Sequence, residues 1–363
     1  MASGLQCLLH APDVEFYLDY KYPYNKYLLN SFRDLCLDTW KSESNLPLSP
    51  SYLKMYLSQK HRMYSGYDQL DSFEFVLKLL NEIHNEINSV PEIQKPYTGH
   101  KKYLKEELKQ GAEESEINFK KRENSHIYDK WGGFFVSGFK CFECGYNPHQ
   151  FEESLGINLQ IPPNSKQTTL EKCFEFYTRK ERLDSENKWY QTKEKKKNSY
   201  KILTIFFFKK KKRFCTKCER DVVSEQQTLI SKVPEILMIQ LKRFSEDYRS
   251  KDERLVEFPI KDLDLSLYVA DYEENLKYYD LFAVSNHGGS LRGGHYWSKA
   301  LVKDYWYKFD DMTVNKIDEK EVVDGSAIVL FYKRTGKKKK KKKSNFHKIN
   351  KIIFRKINSK EIN

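Results

Sequence analysis

Asn286-His287-Gly288-Gly289-Ser290-Leu291-Arg292-Gly293-Gly294-His295-Tyr296-Trp297, continuing to Trp306-Tyr307-Lys308-Phe309-Asp310-Asp311, is the stretch on which the reading of this chain turns. A Gly-rich loop delivers a histidine to an aromatic and apolar run, His295 to Val302, and a second run follows from Tyr305 to Phe309. A turn at Val302 to Asp304 makes the two runs a hairpin and sets His295 and Asp310 nearly opposite each other, within a position or two. Cysteine and serine hydrolases use this pairing: an imidazole takes the nucleophile's proton, and a carboxylate holds the imidazole in its working tautomer. A strand histidine beside an acid also serves purely structural ends, so the pair by itself leaves both readings open.

Outward from the hairpin the chain is rich in β-branched and aromatic runs. They predict strands at Gly132 to Phe139, Gly156 to Ile161, Gln227 to Val233, Glu235 to Phe244, Tyr278 to Ser285 and Ala327 to Lys333. The first hundred residues differ. Apolar spacings of three and four predict helices over Gly4 to Leu18, with a break near Pro12, and over Tyr27 to Trp40, Ser51 to Ser58 and Asp71 to Ile87. In the last of these, Phe75, Leu77, Leu79, Leu80, Ile83 and Ile87 mark one broad face, and Asp71 and Ser72 stand near the N-cap. Lys101 to Ser125 is dense in charge and reads as a solvated helix or a linker, with strand character from His126 onward. A helical half followed by a mainly antiparallel β half implies an α+β architecture.

At 363 residues, 39% hydrophobic and 15% aromatic, the chain can bury a substantial core, as one large domain or two smaller ones. Met1 to Leu9 has no basic leader, and no run of 18 apolar residues occurs, so a soluble cytoplasmic or nuclear protein, monomeric and without a membrane partner, is expected. The net charge is +13. Residues 191–214 and 336–363 carry +9 and +11, so against their joint +20 the remaining chain is acidic, at −7. A nucleic-acid-binding face would be built into the folded body, so this distribution argues against nucleic acid as a partner.

Four of the seven cysteines form two C-x-x-C pairs, Cys141/Cys144 and Cys215/Cys218. Such knuckles place four thiolates where a structural Zn²⁺ can sit, and a site filled by four thiolates leaves no open position for catalysis. The segment from Cys144 to Cys215 is long for a zinc ribbon. Without 191–214, Trp189-Tyr190 would run directly into the second knuckle.

Together these residues resemble the ubiquitin-specific protease family of deubiquitinases from about Gly4 to Arg334. Gly4-Leu5-Gln6-Cys7-Leu8-Leu9-His10 looks like the end of that family's cysteine box. Gln69-Leu70-Asp71-Ser72-Phe73-Glu74-Phe75 is similar to its Q-x-D-x-x-E-F helix start, with Phe73 where a histidine is often seen. Val233 to Phe244 resembles its P-x-x-L-x-x-x-L-K-R-F strand, and the opening stretch its G-G-H-Y box followed by W-x-x-F-D-D. The resemblance implies a papain-like core with a helical thumb (1–110), a β palm with zinc-bearing fingers (111–335) and a disordered Lys-rich tail (336–363). It further implies ubiquitin and ubiquitinated proteins as partners, a cysteine nucleophile, His295 as base and then acid, Asp310 as its orienter, and Asp311 as a supporting polar group. An exchange of the last two roles remains open.

The family's nucleophile lies two residues before the position of Met1, and its oxyanion asparagine further upstream. Cys7 reads as core packing inside a helix, and Cys36 and Cys173 as buried small hydrophobes. The chain as written is therefore expected to lack a nucleophile, which leaves an inactive ubiquitin-binding protein as the alternative to an active hydrolase. The start, the 191–214 insert and the tail share one explanation: a gene model with a missing first exon, a retained AT-rich intron and read-through. The other explanation is a genuine loop and a basic tail acting in nuclear targeting.

Overall fold

The computed structural model describes residues 1–19, 25–41, 48–66, 68–90, 101–163, 167–184, 213–245, 250–273, 277–290 and 293–336. The Lys-rich tail and all of the insert up to residue 212 lie outside them. Its helices are α1 (Ala2–Leu9), α2 (Val14–Asp19), α3 (Tyr27–Trp40), α4 (Ser51–Lys60), α5 (Ser72–Ile87), α6 (Leu108–Lys120), α7 (His126–Trp131) and α8 (Leu170–Thr178). The strands in chain order are β1 (Gly133–Cys141), β2 (His149–Ser154), β3 (Ile157–Gln160), β4 (Thr168–Thr169), β5 (Glu181–Leu183), β6 (Arg213–Cys215), β7 (Arg220–Val222) and β8 (Ser224–Lys232). They continue with β9 (Ile236–Lys242), β10 (Val256–Glu257), β11 (Leu263–Asp264), β12 (Tyr278–Ser290), β13 (Gly293–Val302), β14 (Tyr305–Asp310), β15 (Thr313–Ile317) and β16 (Ala327–Arg334).

The helices begin where chain chemistry lets them. Asp71 accepts from the Phe73 and Glu74 amides at 2.8 and 2.9 Å, capping α5 and satisfying two otherwise unpaired donors. Its apolar face then buries Phe75, Val76, Leu79, Leu80 and Ile83. Lys101 to Ser125 is largely helical: within α6, Gly111 and Phe119 are buried against the sheet side, although the rest of the helix is polar. Strand character begins a turn later than His126, because the Ser125 hydroxyl caps α7, which buries Ile127 and Trp131. Arg213 and Phe214, at the end of the basic insert, belong to β6 and pair with Val222 and Asp221.

The largest sheet runs β15-β14-β13-β12-β16-β9-β3, with β11 beside β12, and it is antiparallel except where β3 meets β9. Period-two alternation divides its two faces. On β16, Val329 and Phe331 join the core shared with α1, α3 and α5, while Leu330 and Tyr332 join a second core under α8 with Phe174. A smaller sheet, β2-β1-β8-β5, projects from this body and ends near the β6–β7 hairpin. There the buried residues are few: Phe139, Cys141, Cys215 and Val222. The N-terminal end of α1 is pinned to the body by buried hydroxyls, Ser3 to Ser285 at 2.9 Å and Ser285 to Ser72 at 3.1 Å.

Candidate active site

The β13–β14 register pairs Val302 with Tyr305 and Ser298 with Phe309, closing a two-residue turn in which Lys303 takes φ 56°. One further step sets Asp310 across from Trp297. His295 lies two residues before Trp297 and so shares its face, diagonal to Asp310. The side chains meet: His295 Nε2 lies 2.6 Å from Asp310 Oδ1 and 4.0 Å from Asp311 Oδ2. Asp311 follows at φ 49°, in the tight turn where Thr313 Oγ1 donates to the Asp310 carbonyl at 2.7 Å.

Lys308, two residues before Asp310 and on its face of β14, places Nζ 2.7 Å from Asp310 Oδ2. Partial burial would raise the Asp310 carboxyl, but hydrogen bonds and charge from Lys308 and His295 outweigh it and hold the acid below its ordinary range. An ionised carboxylate only accepts hydrogen bonds, so the proton between the two residues belongs to His295 Nε2, and Nδ1 keeps its lone pair. The imidazole side chain is 46% exposed, and Nδ1 has no hydrogen-bond partner among the described residues. That edge of the ring can accept a proton from a group brought up to it.

The segment preceding His295 is held from three sides. Gln69, ahead of α5, donates to the Gly294 carbonyl. Lys251 donates to the His287 carbonyl at 2.7 Å. Gly294 abuts the His287 ring and the Gly288 carbonyl so closely that a Cβ there would sit 2.6 Å from that oxygen. His287 itself is buried between Tyr296 and Phe244. Burial first, and then the charges of Lys251 and His295, push its imidazole down to about 4.

At the far end of the smaller sheet, Cys141 Sγ lies 3.9 Å from Cys218 Sγ, and Cys144 Sγ lies 3.6 Å from Cys215 Sγ. All four sulfurs fall within 4.8 Å of one another. A tetrahedron built on Zn–S bonds of about 2.3 Å has sulfurs about 3.8 Å apart, so the four thiols fit a zinc ion. The amides of Cys144 and Cys218 point back at the first sulfur of each pair, at 3.5 and 3.4 Å. Burial would raise the Cys215 thiol, yet the Cys218 and Lys217 amides and hydrogen bonds with the Cys144 and Cys218 thiols bring it down to about 7, while the bond with Cys144 and burial push Cys218 up to about 12. Packed thiols resist joint ionisation, and a dication removes that conflict. Cys7, Cys36 and Cys173 are buried, with thiols raised by burial.

His295 and Asp310, singled out from spacing, and Asp311, implied by the resemblance, therefore stand together, as do the four knuckle cysteines. Lys308 escaped the sequence reading although period-two alternation along β14 signals that it shares a face with Asp310. Gln69 was quoted for its motif, but nothing in the chain's spacing tied it to Gly294.

A helical body, a sheet that sets His295 against Asp310 and a Cys₄ tip at the end of a smaller sheet together define the fold. A family model described as ubiquitin carboxyl-terminal hydrolase matches residues 1–332. The chain belongs to that family. It is 30% identical over 348 residues to ubiquitin carboxyl-terminal hydrolase Usp2 of Drosophila melanogaster, covering 92% of this chain and 34% of that protein. It is 30% identical over 311 residues to ubiquitin carboxyl-terminal hydrolase 2 of Gallus gallus, covering 84% and 80%. The chain thus spans a third to a half of some relatives, as with 52% of the Rattus norvegicus protein. The SAGA Ubp8/Sgf11/Sus1/Sgf73 DUB module bound to ubiquitin aldehyde shares the fold, with TM-score 0.62 at 21% identity over 93% of this chain and 68% of that one. The same module bound to monoubiquitin gives 0.63 at 20%, over 93% and 67%.

Proposed function

We propose that this chain is the catalytic domain of a thiol-dependent deubiquitinase, which hydrolyses the bond after the C-terminal glycine of ubiquitin. The observation that carries the reading is the 2.6 Å pairing of His295 Nε2 with Asp310, which leaves Nδ1 open. His295 acts as base toward a thiol and then as acid toward the leaving amine, Asp310 orients it, and Asp311 supports the site. Residues 1–110 form the thumb and 111–335 the palm and fingers, whose tip is closed by zinc on Cys141, Cys144, Cys215 and Cys218. The ubiquitin-bound states of the structural relatives support ubiquitin as the partner.

None of the cysteines described here can serve as the nucleophile: three are buried in cores and four face one another at the finger tip. We place the nucleophile two residues ahead of Met1, at the N-terminal end of α1, where helix amides lower a thiol's pKa. The end of α1 adjoins the start of α5, whose Asp71 acts on the Met1 amine, and Gln69 beside it reaches Gly294. The second reading is a protein that binds ubiquitin without cleaving it. The test is a ubiquitin probe carrying a C-terminal electrophile, applied to this chain and to a version extended by Cys and one further residue ahead of Met1. The extended form should be labelled, and H295N should abolish labelling. Failure of the extended form to react, or labelling of the chain as it stands, would overturn this assignment of the nucleophile.

A further inference from the structure

Asp310 has two oxygens and both are engaged, Oδ1 by His295 Nε2 at 2.6 Å and Oδ2 by Lys308 Nζ at 2.7 Å. The ammonium of Lys308 also lies 5.0 Å from the centroid of the Trp297 ring, a cation–π distance. Trp297 in turn stands beside the His295 ring, with centroids 6.2 Å apart and planes at 21°. Lys308 and Trp297 therefore bracket the base and its acid from the same face of the hairpin. We propose that Lys308 is a positioning residue of the site, which commits one oxygen of Asp310 to itself and thereby fixes the proton of His295 on Nε2.

The inference rests on reading His295 as the base. The groups around the pair are few. From β13 comes His295, from β14 Lys308, from the following turn Asp311 at 4.0 Å from Nε2, and from β12 the buried His287, whose ring senses the charge of His295. Thr313, which opens β15, bonds the Asp310 carbonyl and not its carboxylate. Among the described residues Lys308 is thus the cation that contacts the acid besides the imidazole. A protonated Asp310 would donate its O–H to Nε2, force the ring proton onto Nδ1 and leave no lone pair to receive a proton from a thiol. An ammonium on Oδ2 opposes that protonation and stops the carboxylate from turning toward solvent. A half-exposed ion pair adds little to stability, so the contact's consequence lies in the protonation pattern.

The experiment follows the Asp310 carboxyl by ¹³C NMR and the His295 ring nitrogens by ¹⁵N NMR in the full chain across a pH series. In K308M the Asp310 titration midpoint should move upward, and the uncharged His295 ring should show a larger share of the Nδ1–H tautomer. K308R, which keeps the charge, should retain the wild-type pattern. K308Q is the second charge-free variant should methionine disturb folding, judged from amide spectra away from the hairpin. Unchanged carboxyl and ring titrations in the folded charge-free variant would overturn the proposal. Neither signal involves ubiquitin, so failure of the deubiquitinase reading, scored by the electrophilic probe, is a separate outcome.

Discussion

Gly294 and His287 show how little freedom remains around His295. Replacing Gly294 with alanine sets a methyl against the Gly288 carbonyl and the His287 ring, neither of which can retreat from a buried strand pair. Overpacking of this kind costs about 1–3 kcal/mol, and here it should also displace His295 from Asp310. Loss of the ring-to-carboxylate proton signal in G294A, with the rest of the fold retained, is the expected result; an unaltered signal would contradict it. His287 governs a pH dependence. Its buried imidazole is pushed from 6.5 to about 4, so the unfolded chain binds a proton that the folded chain refuses between those values. Stability from this residue is complete above pH 6.5 and declines as pH falls toward 4, by on the order of 2 kcal/mol. Urea unfolding at pH 7 and pH 5 should show the loss, and H287F should flatten it. His295 and Asp310 were legible because a hairpin's register follows from its turn. The burial of His287 was not, since sequence does not reveal which face of a long strand another loop covers.

At the scale of elements, Asp71 does two things at once: it caps α5 through two amides and accepts from Gln240 of β9 at 2.8 Å. D71A should cost about 1 kcal/mol for the lost cap and more for the stranded amide of Gln240, read as a lowered urea midpoint. D71N, which keeps a cap, should recover most of it. The tip is the least supported part of the fold, with four buried residues between β6, β7 and β1, so an ion on the four cysteines would contribute much of its stability. Chelation or C215S should speed amide exchange across 141–146 and 215–222 and leave β12, β13 and β16 protected; uniform protection after chelation would refute a structural zinc. Helices α3 and α5 could be read from the sequence almost to the residue, since the apolar faces of both and the Asp71 cap of α5 are local signals. The start of β1 falls within one residue of the expected Gly132, but α7 before it was missed, because a helix of six residues shows too little periodicity to separate from the aromatic strand that follows it.

Over the whole molecule, charge and fold are segregated. The described body carries the acidic balance, and the basic runs sit at 191–213 and beyond 336. Removing 337–363 should weaken salt-sensitive retention on a polyanion, leaving what the 191–214 run supplies, and leave ubiquitin affinity unchanged, measured by titration calorimetry. A drop in ubiquitin affinity would place the tail in the recognition surface. The α+β class and the order of its halves could be read from the chain, but the strand order of the main sheet could not. Its central ladder joins β3, β9, β16 and β12, which are far apart in sequence, and such pairings leave no local trace.

The base and its acid are fifteen residues apart on one hairpin, whereas the two cysteine knuckles are joined across more than seventy. Closing the longer loop costs more chain entropy, offset by the β1–β8 ladder and, at the tip itself, by an ion on the four thiols. Folding should therefore assemble the proton-transfer pair early and the metal tip late. Under partial denaturation or metal depletion the molecule should therefore come apart from its tip inward: a chain whose fingers are open would still hold His295 against Asp310.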